Sequence, residues 1–155
     1  MSQKLTKSAV SVQEALDKLK LKCKVLELPN STRTALDAAS AIGCDIAQIV
    51  KSLIFRTKKT GKPVLVLASG PNQVDVKLLE GYLGENITKA DVDFVREVTG
   101  FAIGGIPPVG HKNAIEFIYI DKELLDLDEV WAAAGTPNAV FSIKSQDLLK
   151  LQMGK

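Results

Sequence analysis

The chain of 155 residues carries one histidine, His111, and two cysteines, Cys23 and Cys44. A single histidine excludes a histidine-rich zinc site and any Ser-His-Asp triad not built on His111. The two thiols lack CxxC spacing, so they fit core packing in a reducing compartment better than a disulfide framework. Strong charge of one sign is also missing. Lys plus Arg number 20 and Asp plus Glu 18, a net of +2, too little to hold nucleic acid by charge alone. No apolar segment opens the chain, so it reads as unsecreted and cytoplasmic. No run is fit to span a membrane: Val130 to Ile143 covers 14 uncharged residues but is broken by Gly135 and Pro137. The dinucleotide glycine fingerprint and the P-loop pattern are both absent, as are repeats, linkers and low-complexity tracts.

What is there is one domain's worth of ordinary globular sequence, 46% hydrophobic and 25% charged. Val12, Leu16 and Leu19 sit at helical spacing within Val10 to Lys20. Lys22 to Leu28 alternates as a strand, and Pro29-Asn30-Ser31 breaks it. Ser31 to Thr34 offer caps for a helix through Ala35 and Ile42, which Gly43 closes. Ile49 to Thr57 and Pro63 to Ala68 are β-branched, apolar runs around Lys58-Lys59-Thr60-Gly61, the pattern of a hairpin. Helices are expected over Asp75 to Leu83, Lys89 to Val98 and Ser145 to Leu151. Further strands are expected over Phe101 to Ile103, Ile115 to Ile120, Val130 to Ala134 and Ala139 to Ile143. The fold class is therefore α/β, a single domain with about six strands and four or five short helices.

Three features stand out as carriers of chemistry. Val98 to Gly110 (VTGFAIGGIPPVG), followed by His111, is neutral and rich in glycine and proline, unlike a solvated loop. Gly104 and Gly105 let a ligand approach the backbone and leave N–H groups to bind it, while Pro107 and Pro108 stiffen the turn. Ala132 to Val140 (AAAGTPNAV) is a strand followed by a Gly135-Thr136-Pro137-Asn138 turn, which an ordinary hairpin also explains. Lys51 is a lone charge in the apolar run IVKSLIF, suited either to a solvated face or to meeting a carbonyl or phosphate at a pocket mouth. Ser52 beside it faces the other way. Arg56, Lys58, Lys59 and Lys62 bring four positive charges to the hairpin with no acid between them.

IVKSLIF, GFAIGGIPPVGH and AAAGTPNAVF, in that order, resemble the YbaK/ProX family, free-standing relatives of the editing domain of bacterial prolyl-tRNA synthetases. The likeness runs from about Pro29 to Leu151. It implies that the whole chain, 1–155, is one editing domain with a mixed, mostly antiparallel, partly barrel-like sheet flanked by short helices. It also implies hydrolysis of the ester that joins a wrong amino acid to tRNA. Lys51 then holds the tRNA 3′ end, and the backbone of Gly104 and Gly105 orients the aminoacyl carbonyl. Ser52, Gly100, Ile106, Pro107, Pro108, Gly110, His111, Ala134, Gly135, Thr136, Pro137 and Asn138 are the expected substrate-binding residues. No metal, cofactor or protein nucleophile is implied, since a ribose hydroxyl of the substrate assists. The implied partners are mischarged tRNA and prolyl-tRNA synthetase, with no DNA and no membrane.

The cysteinyl-specific branch carries Gly-Gly-Ile-Ser-Pro where Pro107 stands here, and an acid near Val140. Those departures, with Ser31-Thr32-Arg33-Thr34 and Ile42-Gly43-Cys44, point to alanine, serine or threonine. A non-catalytic tRNA- or synthetase-binding module and a small-molecule esterase are the competing readings. Reversing Lys58 and Lys59 to Glu is expected to raise the KM for charged tRNA and flatten its salt dependence in steady-state kinetics.

Overall fold

A computed structural model describes residues 6–29, 31, 32 and 34–153. Its centre is a seven-stranded sheet of order β1-β7-β6-β2-β3-β5, with β4 attached to β2 off this path. The strands are β1 (Leu26–Glu27), β2 (Ile49–Thr57), β3 (Pro63–Ser69), β4 (Ile87–Lys89), β5 (Phe117–Ile120), β6 (Glu129–Ala133) and β7 (Ala139–Lys144). Four of the six pairings are antiparallel; β2 with β6 and β3 with β5 are parallel. The sheet is open, with β1 and β5 at its edges.

The β2–β3 hairpin forms as expected, in register from Val50↔Ser69 to Arg56↔Pro63. Its two apolar runs read as continuous rather than alternating because both faces are covered, and Val64 to Ser69 are all buried. On one face Val50, Ile54, Leu65 and Leu67 join the main core with α1 (Lys7–Lys18) and α4 (Val92–Thr99). On the other, Val64 and Val66 pack with Leu79 of α3 (Val76–Leu83). A third cluster sets Ala38 and Ala39 of α2 (Ala35–Ile42) against Ile49.

Helix limits follow local chemistry. Thr6, Thr34, Asp75 and Asp91 cap α1 to α4, each side chain accepting the backbone N–H three residues further on. Gly43 closes α2 in the left-handed conformation at φ 84°, as the sequence predicts.

Several expectations need correction. Phe101 to Ile103 is not a strand but the turn that leads into Gly104. Of Lys22 to Leu28 only Leu26–Glu27 pairs, because the Gln13 side chain of α1 accepts from Val25 N and donates to Cys23 O instead. β4 and α5 (Lys122–Leu125) escape the sequence reading, each being too short to show a period. The segment Ser145–Leu149 is a 3-10 turn, followed by α6 (Lys150–Met153). The break at Pro29-Asn30-Ser31 and the segment Ser31-Thr32-Arg33-Thr34 include Asn30 and Arg33, which lie outside the described residues.

Phe141 of β7 is fully buried in the main core, at 0% exposure. Phe141→Ala is expected to cost about 3–5 kcal/mol, read as a lowered urea midpoint at unchanged m-value.

Candidate active site

Strand β2 has one edge fully paired with β3, but two different strands share the other. β6 pairs with it only at Ile49 and Val50, and β4 only from Phe55 to Thr57. Between them the edge has no strand partner, and there a cavity of about 360 Å³ opens. Lys51, Ser52 and Leu53 form one wall, Gly104 and Ile106 another, and Ala133 and Val140 the third. Ala38 and Ile42 of α2, with Trp131, line it from the remaining side.

The glycine loop is held in this gap by two tight contacts. Gly135 donates its N–H to Gly105 O at 2.8 Å. A Cβ on Gly105 would lie 2.7 Å from the Thr136 carbonyl carbon, so only glycine fits without displacing backbone. Gly105 N–H closes the turn onto Ala102 O at 3.2 Å, so it is not a free donor. Among the described residues the N–H groups of Gly104 and Ile106 meet no acceptor, which leaves them as the loop's available donors. On the Lys51 wall, Ser52 Oγ is buried without a hydrogen-bond partner.

Lys51 is oriented rather than merely solvated. Its Nζ donates to Asn72 O at 2.5 Å. The Asn72 amide in turn donates to Asp121 Oδ2 at 2.8 Å and Glu123 Oε2 at 2.7 Å. Burial alone would raise the Asp121 carboxyl. Donation from Asn72 and from the Ser69 and Glu123 backbone N–H groups, with the Lys51 charge nearby, holds it below its ordinary value. Asn72 and Asp121 are candidate site residues that sequence reasoning missed. The turn residues after β3 and the capping Asp121 of α5 carry no mark of their meeting at Lys51.

The remaining expected residues are placed around the cavity, not in it. Pro107 is fully buried, and Ala134 sits in the core at 0% exposure. Pro137 O accepts from Thr32 N and Oγ1, Thr136 Oγ1 accepts from Asn138 N, and Asn138 O accepts from Leu28 N. The Gly135 to Asn138 turn thus clamps the glycine loop to Leu28 and Thr32. Gly100 terminates α4 at φ 82°. Pro108, Gly110 and His111 line a second cavity, between the loop and α1.

His111 Nε2 lies 2.7 Å from Pro107 O, and since a carbonyl only accepts, the ring nitrogen donates. The histidine therefore ties down the loop from behind. Burial lowers its pKa, with the Pro107 carbonyl pulling the other way. Burial also raises both thiols, so neither Cys23 nor Cys44 is an activated nucleophile. Among the described residues no three His, Cys, Asp or Glu side chains converge as metal ligands.

The basic hairpin lies at the far end of β2, about 17 Å of strand from Lys51 at roughly 3.3 Å per residue. Lys58 and Lys59 are exposed. Arg56 stacks over Phe94 at 4.5 Å, and Lys62 lies 5.8 Å from the Phe117 ring centroid and 4.0 Å from Glu116. Glu85 accepts from the Lys59 and Thr60 N–H groups. The patch is thus not free of acids, as its linear sequence implies; Glu85 and Glu116 arrive from other segments.

Residues 29–151 match the aminoacyl-tRNA editing domain family, and the chain belongs to it. It is 46% identical to a crystallised protein proposed as a trans-editing enzyme for prolyl tRNA synthetase, at TM-score 0.89, covering 98% of this chain and 96% of that one. It is 30% identical to the uncharacterised protein YwhH of Bacillus subtilis over 84% of this chain and 82% of that one. It is also 32% identical over 78% of its length to proline–tRNA ligase of Maridesulfovibrio salexigens, of which it spans 21%.

Because His111 is partly buried, and desolvation disfavours its charged form, its folded pKa lies below its unfolded one. The unfolded chain then binds the extra proton first as pH falls, so stability drops from about pH 6.5 downward, the ordinary histidine value. His111→Asn is expected to flatten that part of the stability–pH curve measured by urea unfolding, whereas an unchanged slope would assign it to other groups.

Proposed function

We propose that the chain is a trans-acting aminoacyl-tRNA deacylase that hydrolyses the ester of tRNA(Pro) carrying alanine, serine or threonine. The observation that supports this most is the coincidence of a small apolar cavity with an oriented ammonium at its edge and unpartnered backbone donors on its wall. At about 360 Å³ the cavity lies at the low end for ligand sites. Ala38, Ala133 and Val140 leave room for a short side chain, and Trp131 and Ile106 close the walls against larger ones.

An aminoacyl ester is already reactive, so positioning and charge stabilisation suffice to speed its hydrolysis. Water adds to the carbonyl carbon, the N–H groups of Gly104 and Ile106 receive the developing oxyanion, and the C–O bond to the ribose breaks. The departing ribose oxygen takes the proton that the attacking water gives up, leaving the free amino acid and the ribose hydroxyl. A ribose hydroxyl of the substrate orients the water, since His111 faces the second cavity. Lys51 holds the 3′ end by its charge. Selection by size has limits, because one methylene in an apolar pocket is worth about 1–3 kcal/mol. Ser52 Oγ, unpartnered in an otherwise apolar wall, favours a substrate that brings a polar atom to it.

The test is deacylation of tRNA(Pro) charged separately with alanine, serine, threonine, cysteine and proline, with and without EDTA. Loss of one or two small residues is expected, insensitive to EDTA, with prolyl-tRNA spared. Lys51→Ala should slow that loss by about 10²-fold, the scale of one preorganised donor. No hydrolysis of any of these by the parent protein would favour a binding module instead.

A further inference from the structure

A third cavity, of about 530 Å³, lies between α3 and β5 and is bounded by Leu78, Tyr82, Tyr119, Asn72, Asp121 and Glu123. Asn72 is common ground: its carbonyl accepts from Lys51, and its amide donates to the two carboxylates on this side. One residue therefore separates the cavity from the ammonium of the proposed active site. Tyr82 stacks on Tyr119 at 5.9 Å between centroids and 19° between planes, yet it is 65% exposed. Leu78, one turn before it on α3, is 51% exposed. A ring braced from one side and open on the other is a platform for a second planar group.

We propose that this cavity receives the adenine of the substrate's terminal nucleoside, stacked on Tyr82. The inference rests on the deacylase reading, in which the ester occupies the first cavity and the ribose lies beside Lys51. The base then falls on the far side of the ribose, towards Asn72. Charge argues for a base rather than a phosphate. Asp121 and Glu123 repel an anion but accept from an exocyclic amine, and adenine carries one. Stacking supplies affinity and the carboxylates supply orientation, the usual division in recognition of unpaired bases.

Two measurements on the full chain test this. Adenosine titrated into the protein should shift the ring resonances of Tyr82 and Tyr119 in NMR spectra, and Tyr82→Ala should abolish the shift at Tyr119. In deacylation kinetics Tyr82→Ala should raise the KM for mischarged tRNA about tenfold at nearly unchanged kcat, the scale of one lost stacking contact. Tyr82→Phe, which keeps the ring, should retain the parent KM. An active parent enzyme whose KM is indifferent to Tyr82→Ala overturns the proposal, and so does adenosine that leaves both rings unmoved. The titration needs no turnover, so it decides the base site even where the deacylase reading itself fails.

Discussion

Everything about the site depends on the middle of β2 lacking a partner on one edge. A strand edge left open must be covered, or its backbone groups stay unsatisfied or exposed to wrong pairing. Here β6 leaves after Val50 and β4 arrives only at Phe55, and the glycine loop sits opposite the interval without pairing as a strand. The result is a notch in the sheet, not a hollow beneath it. That is how two adjacent residues, Lys51 and Ser52, which point to opposite faces of a strand, both reach one cavity.

On the cavity side the loop in the notch is fixed by backbone contacts, while His111 holds it from behind. Gly105 meets Thr136, Gly135 bonds to Gly105, and Pro137 bonds to Thr32. A wall made of main chain keeps its shape while side chains around it change. The cavity's size can thus drift through Ala38, Ala133 or Val140 without disturbing the donors at Gly104 and Ile106. In the proposed reaction, substrate choice and the chemical step are in this sense carried by different atoms.

Much of this is legible in the amino-acid sequence. Two β-branched runs around a lysine- and glycine-bearing turn mark the β2–β3 hairpin, and a capping threonine and closing glycine mark α2. The glycine loop stands out because the whole stretch from Val98 to Gly110 has no charge at all. Lys51 stands out because it is the one charge in its apolar run. What stays hidden involves segments that are far apart in sequence. Parallel pairing of β2 with β6 leaves no local trace, so the notch has no signature in the chain. The same holds for Asn72 and Asp121 at Lys51, and for Glu85 in the basic turn. Phe101 to Ile103 misleads because an apolar, β-prone triplet reads as a strand even when it only enters a turn.

Helix α1 gives the last consequence. The family likeness starts at residue 29, and α1 ends well before that. Yet a Cβ on Gly135 would strike Ser8 O at 2.9 Å, and one on Gly110 would touch Ala15 at 3.2 Å. Val12 and Leu16, both fully buried, belong to the same core as Ile106 and Ala134. The family match therefore begins later in the chain than the packed unit does. The segment that lies ahead of the family match is the keel on which both loops rest.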